Sequence, residues 1–140
     1  MDVIVLIGRI LFAILFIGSG MGHLSQTEGM TGYAESKGVP QARAMVILSG
    51  IIIILAALSI AFGVWADLAA LVLVVFLVLT ATLMHGPWKA ADDQEKQTAQ
   101  VQFMKDLGLA GASLILFAFF AATPDLGLTV TGPLFEGLFT

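Results

Sequence analysis

Residues 42–84 decide the fold, and they read ARAMVILSGIIIILAALSIAFGVWADLAALVLVVFLVLTATLM. Two apolar runs lie in this stretch, at about 42–63 and 67–84. Each run approaches the roughly 20 residues that a helix needs to cross the hydrocarbon core of a bilayer. Only Trp65, Ala66 and their neighbours separate the two runs. We therefore expect two antiparallel membrane spans joined by a tight hairpin.

Two further apolar runs, at about 3–22 and 103–122, complete the pattern. The first has no basic segment before it and no cleavage site after it, so we interpret it as a retained span and not as a signal peptide. The chain of 140 residues is 59% hydrophobic and 11% charged, and its mean hydropathy is +1.00. Soluble domains carry about 25% charged residues. The sequence predicts an all-α membrane protein whose single domain, 1–140, is a bundle of four transmembrane helices.

The two longer connections and the C-terminal segment have different compositions. Residues 25–28 read SQTE, a capping-box pattern that predicts a short interfacial helix between spans one and two. Residues 87–102 are rich in Asp, Glu and Gln and are expected to form a solvated loop. Residues 123–140 contain two prolines and are expected to form a flexible tail. The apolar side chains near its end suggest that this tail rests on the membrane or on a partner; they are Leu134, Phe135, Leu138 and Phe139.

Charge indicates the orientation of the spans and excludes one class of partner. The net charge of −4 argues against nucleic acid as a partner, since nucleic-acid binding needs a basic patch. The chain has no cysteine, which excludes disulfides, thiol catalysis and iron–sulfur ligation. Lys and Arg concentrate in the long connections and their flanks, at Lys37, Arg43, Lys89, Lys96 and Lys105. We therefore expect a bacterial-type cytoplasmic (inner) membrane protein with cytoplasmic long loops and both termini external.

Topology brings a polar cluster to one end of the predicted bundle. Spans one and three run in the same direction, and they end at His23 and His85. Trp88, Lys105 and Asp106 lie at the same end, where spans three and four are connected. These five side chains are therefore candidates for a cofactor-binding site. The alternative is that they anchor helix ends among lipid headgroups, as Trp, Lys and His often do.

Arg9 is the sixth candidate, and it lies about two turns inside the first span. A guanidinium at the centre of a bilayer costs at least about 2.5 kcal/mol. On a helical wheel Arg9 shares a side with Phe16, Gly20 and His23, so we expect it to make a buried polar contact. The alternative is that it extends to the surface beside Asp2.

Small residues in two spans suggest close helix packing. Gly18 and Gly22 have the GxxxG spacing, and Gly108 and Gly111 give span four a small face. Such residues let helices approach closely in a membrane. We expect these contacts to form within one chain, and a homo-oligomer is the alternative.

Two histidines alone give weak support for a bound metal. Ligation of haem would need both imidazoles on facing helices at matching depth, whereas His23 and His85 end their helices beside loops. A zinc site would need further ligands such as Glu28 or Asp106. We therefore predict no metal site, and a quinone is the preferred cofactor candidate.

Several stretches, taken together, resemble one known family. They are residues 8–12 (GRILF), 18–24 (GSGMGHL), 33–40 (YAESKGVP), 81–85 (ATLMH) with Trp88, and 103–109 (FMKDLGL). In this order and spacing the chain resembles DoxX-family membrane proteins. The resemblance implies a four-helix inner-membrane protein linked to redox systems, such as a quinone-reducing thiosulfate oxidoreductase or a complex built around superoxide dismutase and a sulfurtransferase. Many relatives carry a Glu early in span two, where this chain reads Leu48-Ser49-Gly50, and the usual closing motif is missing.

Three functions are compatible with these patterns. The first is a membrane subunit of an oxidoreductase or respiratory complex, with a quinone pocket at the cytoplasmic face. The second is a scaffold or assembly factor without catalytic activity, which holds protein partners through the acidic loop and the tail. The third is a small-solute or proton permease that uses Arg9 and Asp106. Whether the chain is itself part of an enzyme is left open by the sequence.

Overall fold

The computed structural model describes residues 1–138, and in that part of the chain it is helical without strands. The α-helices are α1 (Asp2–Ser25), α2 (Thr27–Ser36), α3 (Ala42–Phe62), α4 (Ala66–Leu83) and α5 (Asp93–Ala122). A 3-10 turn at Pro87–Lys89 precedes α5. Within residues 1–138, the four helices α1, α3, α4 and α5 are long and apolar enough to cross a membrane. The predicted all-α fold with four membrane-spanning helices is confirmed.

The four long helices pack in two pairs around an alanine-rich core. α1 packs against α3 and α4 against α5, and the pairs meet between α3 and α4. Deeply buried core residues include Ala13, Phe16, Ile53, Ala57, Ile60, Ala70, Leu73, Leu77, Ala81, Phe120 and Ala121. Large apolar side chains such as Ile14, Leu55 and Ile115 are exposed on the outside. An apolar exterior around a tightly packed interior suits a bundle surrounded by lipid.

Glycine does bring α1 and α3 together, but not at the predicted positions. A Cβ on Gly20 would overlap the Ile54 side chain, and one on Gly50 would lie 2.7 Å from Cβ of His23. Gly18 and Gly22 lie two residues before and two residues after Gly20, and two residues turn a helix by about 200°. They are therefore on the opposite side of α1 and face open space. The expected packing of these two glycines within the chain is therefore wrong. The same correction applies to Gly108 and Gly111 on α5, which also face open space. The homo-oligomer alternative stays a prediction.

Arg9 completes the end of α3. The last carbonyl groups of a helix have no partner within it. Arg9 Nε donates to the carbonyl oxygen of Ile60 (2.9 Å), and its Nη2 donates to those of Ala61 (2.8 Å) and Leu128 (3.0 Å). The Arg9 side chain is buried, with 2% of its surface exposed. The predicted buried polar contact is confirmed, and a cation at a helix C-terminus is also favourable for the helix dipole.

The predicted flexible tail differs from the structure over residues 123–138. This segment has no regular helix, but it crosses the end of the bundle where α3 meets α4, which we call the tail end. Val130 N donates to the carbonyl oxygens of Phe62 and Gly63, at 3.1 Å each. The fully buried Asp67 carboxylate accepts the backbone N–H groups of Leu134 (2.9 Å) and Phe135 (2.7 Å). These bonds fix the segment against the bundle; Phe139 lies outside the described residues.

The helix α5 begins earlier than the sequence patterns suggested. It starts at Asp93, so the loop expected over residues 87–102 is helical from 93 onward. The cause is a cap: Asp92 Oδ1 accepts the N–H of Glu95 (2.7 Å), and Glu95 Oε2 accepts that of Ala91 (3.1 Å).

The capping box expected at residues 25–28 is not formed. Ser25 still belongs to α1, and the hydroxyl of Thr27 donates to the carbonyl oxygen of His23 (2.8 Å). The side chain of the N-cap residue Gln26 makes no capping bond. The short helix itself, α2, is confirmed, and its location in the membrane interface stays a prediction.

Candidate functional site

His85 and Asp106 form a close pair at the end of the bundle where α1 and α4 finish, which we call the histidine end. α4 ends at Leu83, and the N–H groups of Met84 and His85 both bond to the carbonyl oxygen of Thr80. The chain then presents the His85 ring to α5. Nδ1 of His85 lies 2.6 Å from Oδ2 of Asp106, and 24% of the histidine side chain is exposed against 7% of the aspartate.

This geometry fixes how the imidazole can act. A carboxylate accepts the hydrogen on Nδ1, so the neutral ring carries its lone pair on Nε2. Within residues 1–138, Nε2 of His85 has no hydrogen-bond partner. The pair can therefore accept a proton at Nε2 and release it again.

A groove of about 540 Å³ opens above this pair, between α2 and the first turns of α5. It is lined by Tyr33, His85, Asp92, Gln94, Glu95, Thr98, Ala99 and Gln102. The volume lies within the range of about 300–1,000 Å³ that is typical of small-molecule sites. Most of the lining residues carry a polar side chain, and His85 joins the groove to the buried carboxylate of Asp106.

Two polar contacts connect α2 and the residue after it to the ends of α5 and α4. Lys37 Nζ lies 3.3 Å from Oε1 of Glu95, and the Tyr33 hydroxyl donates to the carbonyl oxygen of Met84 (3.2 Å). Sequence reasoning missed Tyr33, Glu95 and Gln102 as site residues. The sequence contained one signal for them, the N-cap at Asp92, which predicts a helix that starts there. In such a helix Glu95 and Gln102 lie seven residues apart and therefore share one face.

His23 lies at the same end of the bundle but has different partners. Its Nδ1 lies 2.9 Å from the hydroxyl of Ser49 and 3.2 Å from the carbonyl oxygen of Val46. Its ring centre is 6.2 Å from that of Phe76 on α4. His23 does not line the groove. The structure therefore separates the two histidines that were predicted to share one site.

Trp88 and Lys105 also lie outside the groove. Trp88 is 63% exposed and packs edge-on against Phe103, with ring centres 5.5 Å apart. Lys105 is exposed, although its neighbour Asp106 is buried. The structure therefore does not place these two side chains with His85 in the groove, and their part in a cofactor site stays a prediction. Adjacent helix residues point about 100° apart, so Lys105 and Asp106 cannot both face inward.

The remaining candidate, Arg9, is at the opposite end of the bundle. It shares the tail end with Asp67, which sequence reasoning took only as the start of span three. Neither residue contributes to the groove. Among residues 1–138, no group of three or more His, Asp or Glu side chains is arranged to hold a metal ion.

Residues of the first three spans carry the pattern of a known protein family. The sequence model of the DoxX family matches residues 4–86, more than half of the chain. This chain belongs to the DoxX family. It is 34% identical over 118 residues to "Inner membrane protein YqjF" of Escherichia coli K12, covering 82% of each chain. It is 27% identical over 114 residues to "Inner membrane protein YphA" of the same organism, covering 81% of each. No solved structure gives a significant match.

The match confirms the family suggested by the sequence motifs. Both relatives are inner membrane proteins by name, and this DoxX-family chain is a membrane protein with four candidate spans. His85 lies within the matched residues 4–86, whereas Asp106 and the rest of α5 follow them. The histidine–carboxylate pair therefore joins the matched part of the chain to its last span.

Proposed function

We propose that this DoxX-family protein is an integral membrane subunit of an oxidoreductase or respiratory complex, and that its groove receives the head group of a quinone. The observation that supports this proposal is the His85–Asp106 pair. Its 2.6 Å contact orients Nε2 as a proton acceptor and donor beside a groove of suitable size.

The proposed chemistry is proton exchange with the quinone. Reduction of a quinone to a hydroquinone consumes two electrons and two protons. In the proposal His85 accepts a proton from solvent water at Nε2 and passes it to one quinone oxygen, and solvent supplies the second proton to the other oxygen. The electrons come from a redox subunit of the complex. Asp106 holds the imidazole in position through Nδ1, as carboxylate partners of catalytic histidines do.

The groove walls offer groups that suit a quinone ring. Thr98 and Gln102 provide hydrogen-bond donors for a quinone carbonyl, and Ala99 and the Tyr33 ring provide apolar surface. His23, Trp88 and Lys105 are not needed for this arrangement. The proposed site therefore retains His85 and Asp106 from the sequence candidates and adds residues of α2 and α5.

Binding of an added quinone tests this proposal. The purified full-length protein in mild detergent is titrated with a short-chain ubiquinone analogue, and quenching of tryptophan fluorescence is measured. We expect saturable binding that becomes about tenfold weaker in His85→Gln, a loss typical of one charge-assisted hydrogen bond. Lys105→Gln is the matched control and should bind as the wild type does. Absence of saturable binding to the wild-type protein, or equal affinity of His85→Gln, would contradict the proposal.

The proposal includes an orientation with the histidine end in the cytoplasm and both termini outside. It is supported by the position of the cations, because Lys and Arg lie mostly in the long connections and their flanks. Arg9, near the other end, is bound by carbonyl oxygens inside the bundle and is not a loop cation. Because the chain has no cysteine, single cysteines at Gln97 and Glu136 can report each side separately. An impermeant maleimide on intact cells should label Glu136→Cys, and it should label Gln97→Cys only after permeabilisation. The opposite labelling pattern would reverse the orientation.

A scaffold role is the second candidate, and the first turns of α5 favour it. Asp93, Lys96 and Gln97 are exposed on a polar helical segment that precedes the apolar span. The tail is a poorer contact surface than expected, because it is bonded to the bundle. A photo-crosslinking residue at position 97 should capture one defined partner in native membranes if the scaffold role is correct. The same residue at position 28 on α2 controls for nonspecific capture.

The permease alternative receives the least support. Arg9 and Asp106 lie at opposite ends of the bundle, and the layer between them contains apolar side chains such as Phe16 and Leu73. Among the described residues, the buried polar side chain between these ends is Ser113, which donates to the carbonyl oxygen of Leu109. This arrangement offers no continuous polar pathway within residues 1–138.

A further inference from the structure

The helix α2 has little intrinsic stability. It contains ten residues, TEGMTGYAES, whereas isolated helices shorter than about 12–15 residues are marginal in water. A Cβ on Gly29 or Gly32 would meet no atom within 4 Å, so packing does not require glycine at either position. Each glycine disfavours the helix about fivefold relative to alanine. The sequence of α2 therefore weakens the helix where the structure has room for a stronger one.

The packing of α2 on the bundle is also limited. Ala34 is its one fully buried residue, and it packs against Ala42 and Val46 of α3. The hydroxyl of Thr31 is buried and has no hydrogen-bond partner among the described residues. A buried hydroxyl without a partner destabilises the packed state. Few buried apolar contacts and a weak helix are features of segments that open locally.

Two polar contacts hold α2 across the groove. The Lys37–Glu95 ion pair (3.3 Å) joins the residue after α2 to α5, and the hydrogen bond from the Tyr33 hydroxyl to Met84 (3.2 Å) joins α2 to the end of α4. Lys37 Nζ also lies 5.3 Å from the centre of the Tyr33 ring. Tyr33 and Glu95 line the groove together with His85.

We propose that α2 is a partial lid, which opens by local unfolding and increases access to His85, whose side chain is 24% exposed while α2 is folded. Residues at both ends suit this motion: Gln26 alone separates α2 from α1, and Gly38, with a φ of 81°, follows its other end. This inference rests on the proposed function in one respect, since the lid lies beside the groove assigned above to a quinone head group. Its test requires no quinone, so failure of the lid and failure of the proposed function are distinguishable.

The experiment measures how fast diethyl pyrocarbonate modifies His85 in the purified full-length protein, by mass spectrometry of the His85 peptide. The double variant Gly29→Ala/Gly32→Ala strengthens α2, and we expect the rate to fall about two- to fourfold, because the His85 side chain stays 24% exposed with α2 folded. Lys37→Gln removes the ion pair, and we expect the rate to rise about threefold. Gly18→Ala and Glu136→Gln are the matched controls, because both positions are exposed and distant from the groove. They should leave the rate unchanged.

Hydrogen exchange of the α2 amides provides a second measurement in the same variants. It should slow in Gly29→Ala/Gly32→Ala and accelerate in Lys37→Gln, while exchange in α3 stays constant. Opposite changes in the two variants, in both measurements, support the lid. Equal modification rates in wild type and both variants overturn it. If quinone fails to bind while the two rates still move in opposite directions, the proposed function is rejected and the lid is retained.

Discussion

Arg9 offers the sharpest test of how the bundle is held together. Arg9→Met keeps an unbranched side chain of similar length but removes every hydrogen-bond donor. The carbonyl oxygens of Ile60, Ala61 and Leu128 would then lose their partner. Leu128 is 54% exposed, so water can replace Arg9 there. Ile60 is fully buried and Ala61 is partly buried, so their carbonyl groups cannot be hydrated in the same way.

The expected destabilisation follows from those two carbonyl groups. A buried acceptor left without a partner costs about 1–3 kcal/mol, which gives about 2–6 kcal/mol for two. Hydrogen bonds within membranes average about 0.6 kcal/mol in mutational studies, which lowers the expectation. We therefore expect Arg9→Met to reduce the free energy of unfolding by about 2–4 kcal/mol. Arg9→Lys keeps the charge but not the planar arrangement of donors, and it should cost about half as much.

Reversible unfolding in mixed micelles with increasing dodecyl sulfate, followed by circular dichroism, measures this free energy. Arg43→Met is the matched control, because Arg43 is exposed on α3 and makes no hydrogen bond or ion pair with residues 1–138. Its effect should stay within about 0.5 kcal/mol. An equally small effect of Arg9→Met would refute the conclusion that Arg9 completes the end of α3.

Two further predictions concern packing. Asp67→Ala should free the tail from its two backbone bonds and accelerate chymotryptic cleavage after Phe135 by about tenfold, whereas an unchanged rate would show that other contacts hold the tail. Gly50→Val should lower the free energy of unfolding by about 1–3 kcal/mol, because its Cβ would press on His23, and Gly18→Val should be neutral in the same titration. Equal effects of the two valines would contradict the assigned contact between α1 and α3.

The spans were predictable because length and apolar composition are sufficient to identify a transmembrane helix. The inward direction of Arg9 was also predictable, because it shares a helical face with Phe16 and Gly20. Both inferences use only the period of the helix and the cost of exposing a charge to lipid.

The partners of buried polar groups were not predictable in the same way. Asp67 binds backbone N–H groups of the tail, and every non-proline residue carries such a group, so the sequence contains no specific signal for the pairing. The candidate site shows a related limit. Topology placed Lys105 and Asp106 at the correct end, but only the helix rotation decides which of the two faces inward.

The start of α5 shows a third kind of limit. Polar composition over residues 93–102 was interpreted as a loop, although a polar helix is stable when it is capped and continuous with an apolar span. The first turns of α5 form one wall of the groove. Composition therefore did not reveal the groove, although His85, which lines it, and its partner Asp106 were both recognised.

Photolabelling tests most directly whether the groove at the histidine end is the functional site. The full-length protein in native membranes is illuminated with an azidoquinone, and the labelled peptides are identified by mass spectrometry. We expect the label on the groove residues Tyr33, His85 and those between 92 and 102, with labelling suppressed by excess ubiquinone and reduced about tenfold in His85→Gln. Label that is spread over the outer faces of the spans, and that excess ubiquinone does not suppress, would contradict a quinone site in this groove.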